Sequence, residues 1–177
     1  RDLHKEYRRQ RQMCIRDRIG DDAVMSQGSY LKPIPVPTPE TQFFWDKCKK
    51  HELWLQRCES CQHVFFYSRF HCPQCLSEDV PFFEASGKGT LWTYMINHRP
   101  VPGFEDDVPY AIAVVQLEEG PRMMSNIVGV ENTPENLVLD MPLEVVFEDA
   151  TEEIAIPKFK PTNAYKLRED YDRFPPL

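Results

Sequence analysis

The sequence CESCQHVFFYSRFHCPQC spans residues 58–75 and contains two Cys-x-x-Cys pairs that are ten residues apart. A two-residue gap lets one tight turn present two thiolates to the same ion, and four thiolates complete the tetrahedral shell of a zinc ion. The predicted ligands are Cys58, Cys61, Cys72 and Cys75. A closed shell has no open position for water or substrate, so the pattern predicts a structural zinc site. We expect the stretch FFYSRF between the pairs to form a short hairpin that brings them together.

Two other interpretations of the paired cysteines stay open. Iron held by the same four sulfurs would make an electron-transfer site of the rubredoxin type. Such sites usually have glycine after the second cysteine of each pair, where this chain has Gln62 and Leu76. Disulfides are the other alternative, but they are typical of secreted chains, and no signal peptide is recognisable. His63 and His71 lie beside the pairs, and we expect them to stay outside a shell that four cysteines already fill.

Composition and charge narrow the class of protein. The chain has 177 residues, of which 41% are hydrophobic and 12% aromatic, which suffices for a core. No apolar run approaches the roughly eighteen residues that cross a bilayer, so we place the protein in the cytoplasm and expect no membrane contact. Residues 101–156 hold one base, Arg122, against thirteen acids, a net charge of −12. Such a surface repels phosphate backbones, so a module that binds single-stranded nucleic acid is the less favoured alternative.

Composition also divides the chain into segments. Residues 1–24 are highly charged without apolar periodicity, and we interpret them as a non-native or disordered leader. Proline occupies every second position from 33 to 39. This spacing predicts an extended strap along the domain or a partner, with a ligand for a peptide-binding domain as the alternative. The segments are the leader (1–24), a Pro-rich strap (25–40), a helix plus zinc ribbon (41–84), a barrel (85–161) and a C-terminal tail (162–177).

A short helix is predicted over about residues 40–51, with Thr38 or Thr41 as its cap. It carries three consecutive aromatic residues, more than one buried face needs. We treat aromatic residues of the helix and of the cysteine segment as candidates for partner contacts, with core packing as the alternative: Phe43, Phe44, Trp45, Phe65 and Phe66. Cys48 stands alone within this helix, and we expect it to pack as a small apolar residue.

The chain after the cysteine module predicts strands. GTLWTYMINHRP (89–100) is rich in β-branched and aromatic residues, and residues 108–130 give two apolar runs around the turn EEGPR. Residues 141–159 supply two more runs. Five short strands separated by turns predict a small closed barrel. The predicted fold class is therefore mainly β, with an N-terminal helix, a rubredoxin-like zinc ribbon and a five-stranded barrel of the OB type.

The order of these parts, together with several motifs, resembles a known family. The motifs are PVPTPETQFFW (35–45), the paired cysteines, ASGKGTLWTY (85–94), EEGPRMMSNIVGV (118–130) and MPLEVVFED…IAIPKFKP (141–161). They resemble the family in which a rubredoxin-like zinc ribbon is fused to an acyl-CoA-associated OB-fold domain. Asp140 and Gln62 depart from that family's pattern, which has glycine at both positions. The resemblance implies a non-catalytic subunit that binds a thiolase-like, lipid-transfer-type or aldolase enzyme and helps it bind acyl-CoA while carbon–carbon bonds form or break.

Such a subunit would place bases near apolar residues where it meets the phosphates of CoA. The candidates are Lys88, Arg99, Phe104, Lys158 and Lys160, with solvated surface charge as the alternative for each base. His98 is the best candidate for a general base, although a histidine at a strand end more often has a structural role. No Ser/His/Asp or Cys/His grouping is evident, so we expect no catalytic residue and no turnover by the isolated chain.

Overall fold

The computed structural model describes residues 30–162 and shows a mainly β protein with one short helix. The predicted leader and the tail beyond Thr162 lie outside the described residues. The elements, in chain order, are α1 (Gln42–Cys48), β1 (Trp54–Arg57), β2 (Val64–Phe65), β3 (Phe82–Glu84), β4 (Lys88–Asn97), β5 (Tyr110–Leu117), β6 (Arg122–Ile127), β7 (Pro142–Asp149) and β8 (Ala155–Pro161). No helix in this part of the chain has the length and apolarity needed to cross a membrane.

Helix α1 is shorter than the prediction of 40–51. Thr41 lies at the N-cap position, but its side chain makes no hydrogen bond to the helix. At the other end, His51 adopts a left-handed conformation with φ of 61°. The backbone N–H groups of His51 and Glu52 donate to the carbonyls of Cys48 and Lys47. This Schellman arrangement satisfies the last carbonyls and ends the helix.

Strands β1, β2 and β3 form an antiparallel sheet in the order β2–β1–β3. Residues 56–57 of β1 pair with residues 64–65 of β2, so the hairpin closes around the first cysteine pair. The predicted hairpin within FFYSRF is therefore wrong, because β2 ends at Phe65 and its partner strand lies before Cys58. The turn that carries the first two cysteines is itself the hairpin loop.

The remaining five strands close into a barrel in the order β4–β5–β6–β8–β7. All pairs are antiparallel except β6 with β8. Burial alternates along β5, where the side chains that face the interior are Ala111, Ala113, Val115 and Leu117. This arrangement confirms the predicted five-stranded OB-type barrel.

The turn before β7 forms although it lacks the glycine of the family pattern. Asp140 adopts a left-handed conformation with φ of 63°. Its backbone N–H donates to the carbonyl of Leu91 at 2.8 Å, which ties the turn to strand β4. Aspartate tolerates the left-handed region better than most residues, so the turn geometry is kept.

The helix, the ribbon sheet and the barrel share one apolar core. Phe44 of α1, Leu55 of β1 and Phe159 of β8 are each at most 2% exposed and belong to the same cluster. Cys48 is fully buried in this cluster, as expected for a small apolar residue. Burial raises the pKa of its thiol to about 12, so it stays protonated at neutral pH.

The start of the strap is held against the barrel by a part-buried network of charged groups. Lys32 Nζ lies 2.6 Å from Asp107 Oδ2 and 3.6 Å from Glu148 Oε1. The Tyr30 hydroxyl donates to Glu148 at 2.8 Å. Lys158 donates to the other oxygen of the same carboxylate. Residues that are far apart in the sequence thus fix the strap to strands β7 and β8.

Candidate functional site

The four predicted ligand sulfurs converge on one point. The Sγ atoms of Cys58, Cys61, Cys72 and Cys75 all lie within 4.8 Å of one another. Cys58 Sγ is 3.4 Å from Cys75 Sγ, and Cys61 Sγ is 3.6 Å from Cys72 Sγ. Metal–sulfur bonds of 2.3 Å in a tetrahedron require sulfurs about 3.8 Å apart. The arrangement therefore fits one tetrahedral metal ion.

The two cysteine pairs are held by equivalent backbone turns. The N–H of Cys58 donates to the carbonyl of His63, and the N–H of Cys72 donates to that of Ser77. In each turn the residue after the second cysteine donates back to the carbonyl of the first cysteine. These residues, Gln62 and Leu76, have left-handed φ values of 59° and 63°. Sequence spacing alone therefore produces two matched turns, each with a non-glycine residue in a conformation that suits glycine.

Hydrogen bonds and burial shift the pKa values of two of the sulfurs in opposite directions. Burial opposes ionisation of the Cys58 thiol, but the backbone N–H groups of Cys61 and Ser60 and a hydrogen bond with Cys75 lower its pKa to about 6. The backbone N–H of His63 favours the Cys61 thiolate, yet burial and hydrogen bonds to the neighbouring sulfurs raise its pKa to about 12. Four adjacent thiolates repel one another, whereas a divalent ion stabilises them together.

The histidines beside the pairs lie outside this group. His63 stacks on Phe65 with ring centroids 6.0 Å apart, and His71 Nε2 lies 3.3 Å from Glu78 Oε1. The group of possible metal ligands found in residues 30–162 contains the four cysteines alone. With four sulfurs and no water position, such an ion would hold the turns together rather than act on a substrate.

The candidate CoA contacts fall in three separate places. Lys88 and Lys160 both pair across the sheet with Glu144, and Lys160 Nζ lies 3.1 Å from that carboxylate. Lys158 is 8% exposed and is committed to the network under the strap. Arg99 is exposed in the loop after β4. Lys88 begins β4 and Arg99 follows its end, so the ten residues of the strand, roughly 30 Å if fully extended, separate the two bases.

Phe104 lies in the same loop as Arg99, close to the strap. Its ring stacks on Tyr110 with centroids 5.1 Å apart. Lys32 Nζ lies 5.3 Å from the centre of the Phe104 ring, which adds a cation–π contact. Phe104 thus forms part of the wall between the strap and the barrel.

Most of the aromatic candidates for partner contacts are buried within the chain. Phe44, Trp45 and Phe65 are 1%, 7% and 5% exposed, so they pack the core and present almost no surface to a partner. Phe43 is 38% exposed, although its ring also packs against Phe82 at 4.2 Å. Phe66 is half-buried and packs against the ring of Phe44 at 5.5 Å. Three of the five candidates are therefore core residues, as the alternative interpretation expects, and only Phe43 and Phe66 keep some exposed surface.

A second surface is visible only in the structure. Strands β4, β5 and β6 carry apolar side chains on the outside of the barrel, and we call these residues the outer face: Met95, Ile112, Val114 and Met124. Next to it lies a cleft of about 450 Å³ between barrel and ribbon, lined among others by Phe66, Tyr67, Phe104, Tyr110 and Met124. The sequence AIAVV in β5 could have indicated this surface. A strand with one solvent-exposed face normally alternates apolar with polar residues, and this stretch does not.

Outside the metal group, His98 and Cys48 differ in their access to solvent. His98, the candidate general base, is exposed in the loop after β4. Cys48, the one cysteine of residues 30–162 outside the metal group, is buried and cannot meet a substrate. Of these two side chains, only His98 is accessible to a substrate.

Comparison with known proteins agrees with this architecture. Residues 45–81 match the family model for the ChsH2 rubredoxin-like zinc ribbon domain, and residues 83–148 match that for the ChsH2 C-terminal OB-fold domain. A chain of the solved Ltp2-ChsH2(DUF35) aldolase is 32% identical, with a TM-score of 0.64. That likeness covers 72% of this chain and 98% of the other.

Relatives with curated names fall into two groups. A DUF35 domain-containing scaffold protein of Methanothermobacter thermautotrophicus is 36% identical over 109 residues, which cover 59% of this chain and 78% of the relative. A probable enoyl-CoA hydratase alpha subunit of Thermomonospora curvata is 33% identical over 132 residues, which cover 74% of this chain. The present chain spans only 40% of the length of that hydratase subunit. The chain matches the zinc ribbon and OB-fold models and covers 78% of the scaffold relative, and on these grounds it belongs to the DUF35 family of ChsH2-type proteins.

Proposed function

We propose that this chain is a non-catalytic subunit that binds a thiolase-like or aldolase enzyme and helps it bind acyl-CoA during formation or cleavage of a carbon–carbon bond. The observation that carries the proposal is the match to the Ltp2-ChsH2(DUF35) aldolase, which covers nearly the whole of one chain of that structure. The name of that structure joins a DUF35 chain to an enzyme. The binding architecture described above supports the same role here.

The metal in this proposal is a single zinc ion that acts as a clip. Four thiolates close its shell, so it fixes the two cysteine turns and polarises no substrate. Iron would fit the same sulfurs, but the family model that matches residues 45–81 is that of a zinc ribbon. The ion would thereby hold the ribbon in the shape that the partner meets.

The exposed basic side chains would contact the phosphates of CoA. Lys88 and Lys160 flank Glu144 on neighbouring strands, and a phosphate could replace that carboxylate as their partner. Lys158 is a weaker candidate because Glu148 already neutralises its charge. Arg99 is too distant from the lysine pair to bind the same phosphate, so it would serve a different part of the ligand.

The hydratase names of two relatives do not require hydratase activity here. The relatives are the probable enoyl-CoA hydratase alpha subunit and a 3-oxo-4,17-pregnadiene-20-carboxyl-CoA hydratase alpha subunit of Mycobacterium tuberculosis. This chain spans 40% of the length of each. The names do support a CoA thioester as the class of substrate that the assembly handles.

The proposal is tested by co-expression with the thiolase-like and aldolase enzymes encoded in the same genome. We expect one of them to co-purify with the full chain in a fixed ratio and to gain affinity for its acyl-CoA substrate. A Cys72→Ser variant should lose the complex, whereas Cys48→Ala should keep it. Failure of every such enzyme to bind the chain would contradict the proposal.

A further inference from the structure

We infer that the outer face of the barrel and the adjoining cleft are the surface on which the partner enzyme docks, and that the partner presents an apolar patch with a basic rim. The inference rests on the proposed function and adds the place and the chemistry of the contact. It is carried by the residue pattern of three strands and by the charges around them.

Strand β5 is apolar on its inner face and over the middle of its outer face, where only Tyr110 and Gln116 near its ends carry polar groups. Its odd-numbered residues, Ala111 to Leu117, fill the barrel, and the even-numbered Ile112 and Val114 point outward. A barrel strand whose outer side faces water normally alternates apolar with polar residues. The outer side of β5 therefore has the composition of a surface that another molecule covers.

The neighbouring strands add two methionines to this surface and two polar residues, Thr93 beside Val114 and Asn126 beside Ile112. Met95 of β4 lies beside Ile112, and Met124 of β6 lies beside Val114. These methionines are 58% and 70% exposed. Strands about 4.8 Å apart, with same-face residues about 6.8 Å apart along each strand, place all four side chains within roughly 12 Å. Methionine is flexible and polarisable, and it is frequent on surfaces that adapt to a partner.

The cleft joins this surface to the ribbon. Met124 and Ile112 line both the outer face and the cleft, and Tyr67 and Phe66 form the opposite wall. Tyr67 lies between the two cysteine turns in the sequence, so loss of the metal would move this wall. A partner that occupies the cleft would thus contact barrel and ribbon together. Its binding would then depend on the metal, which fixes the position of the ribbon wall.

The charged residues around the outer face indicate the charge that the partner should carry. Glu105 and Asp106 are exposed just before β5, and Glu118 is exposed just after it. One base, Arg122, lies on the same face beside Gln116; its guanidinium stacks on Trp92 at 3.8 Å from the ring centre and keeps its charge. The three acidic residues outnumber it. Acidic groups at both ends of the strand favour lysines and arginines on the partner. The same groups repel the phosphates of CoA, so the nucleotide end of the substrate is not expected on this face.

Oxidation of methionines tests the inference on the full-length chain. Mild peroxide or hydroxyl radical should oxidise Met95 and Met124 quickly in the isolated chain, because both are exposed. Met141 is 1% exposed and does not line the cleft, so it serves as the internal control that reacts slowly. In the complex with the co-purifying enzyme, Met95 and Met124 should become as slow as this control.

Variants provide the second measurement. Met124→Glu places a charge at the centre of the contact and should weaken partner binding roughly 100-fold, whereas Met124→Leu should bind normally. The matched control is Leu139→Glu, which adds the same charge at a residue before β7 that is 56% exposed and belongs to neither the outer face nor the cleft. Thermal unfolding of each free variant shows that the barrel is intact.

Three results would overturn the inference, and they separate it from the proposed function. A stable complex that Met124→Glu leaves unchanged would refute the docking surface and leave the proposed function standing. Methionines already protected in the isolated chain would show that a second copy or another segment of this chain covers the face, and sedimentation would distinguish the two. A chain that binds no thiolase-like or aldolase enzyme would refute both proposals.

Discussion

Removal of the metal should unfold the cysteine segment while the barrel stays folded. Phe65 is the one large apolar side chain of residues 58–81 that is fully buried, and such burial contributes about 2–3 kcal/mol. A structural zinc ion contributes roughly 10 kcal/mol or more. The metal therefore outweighs the apolar contacts of this segment several-fold. The barrel, in contrast, has its own closed hydrogen-bond ladder, and most side chains of the shared core belong to it.

Hydrogen exchange with mass spectrometry measures this difference. After chelation, we expect amides of the two cysteine turns, such as those of Gln62 and Leu76, to exchange at least about 100-fold faster, which corresponds to a loss of about 3 kcal/mol. Amides of β5 should change little. Cys48→Ala, which alters no ligand, should still bind one metal ion and keep the protection. Turns that remain protected without metal would refute the reasoning.

Three further outcomes follow from particular contacts. At position 76 the left-handed backbone should make Leu76→Gly more stable than Leu76→Ala by about 1 kcal/mol, and an equal or reversed order in urea unfolding would contradict the strained turn. Lys32→Met should lower the free energy of unfolding at pH 7 by about 1 kcal/mol or less, since the network is only partly buried. Burial raises the pKa of Glu148, but Lys158 and Tyr30 outweigh it and lower that pKa below its ordinary value of 4.5. The stabilisation by its pairing is therefore present above pH 4.5 and lost as the pH falls through the lowered pKa, so the difference between Lys32→Met and the parent chain should shrink in acid. Short single-stranded DNA should bind more weakly than about 100 μM at physiological salt, given the net charge of −12 over residues 101–156; a sub-micromolar affinity by fluorescence anisotropy would restore the nucleic-acid alternative.

Local sequence was enough for the parts of the fold that depend on local chemistry. The spacing of Cys58, Cys61, Cys72 and Cys75 gives two equivalent turns, and the apolar runs of β4 to β8 give the barrel strands. Pairing between strands that are distant in the sequence was harder to predict. The stretch FFYSRF has the composition of a hairpin, but Val64 and Phe65 find their partners in β1, before the first cysteine.

Burial of individual residues was the least predictable feature, because it depends on packing between segments far apart in the chain. Trp45 is covered although it stands in a run of three aromatic residues on a helix of seven residues. From the sequence, Lys158 would be expected on the surface, yet it is buried and paired with Glu148. The same carboxylate binds Tyr30 and Lys32, which lie more than a hundred residues earlier in the chain. The outer face could not be predicted, because an apolar run in a sequence suggests a buried strand. Only the barrel geometry shows which of its side chains face outward.

Turnover of an acyl-CoA thioester by the partner enzyme, measured with and without this chain, tests the central claim most directly. The account predicts that the chain alone has no activity, that the partner alone has little, and that the mixture cleaves or forms the carbon–carbon bond at a rate that saturates when the two are in the ratio of the complex. A partner whose turnover and KM are the same in the presence and absence of the chain would contradict the account.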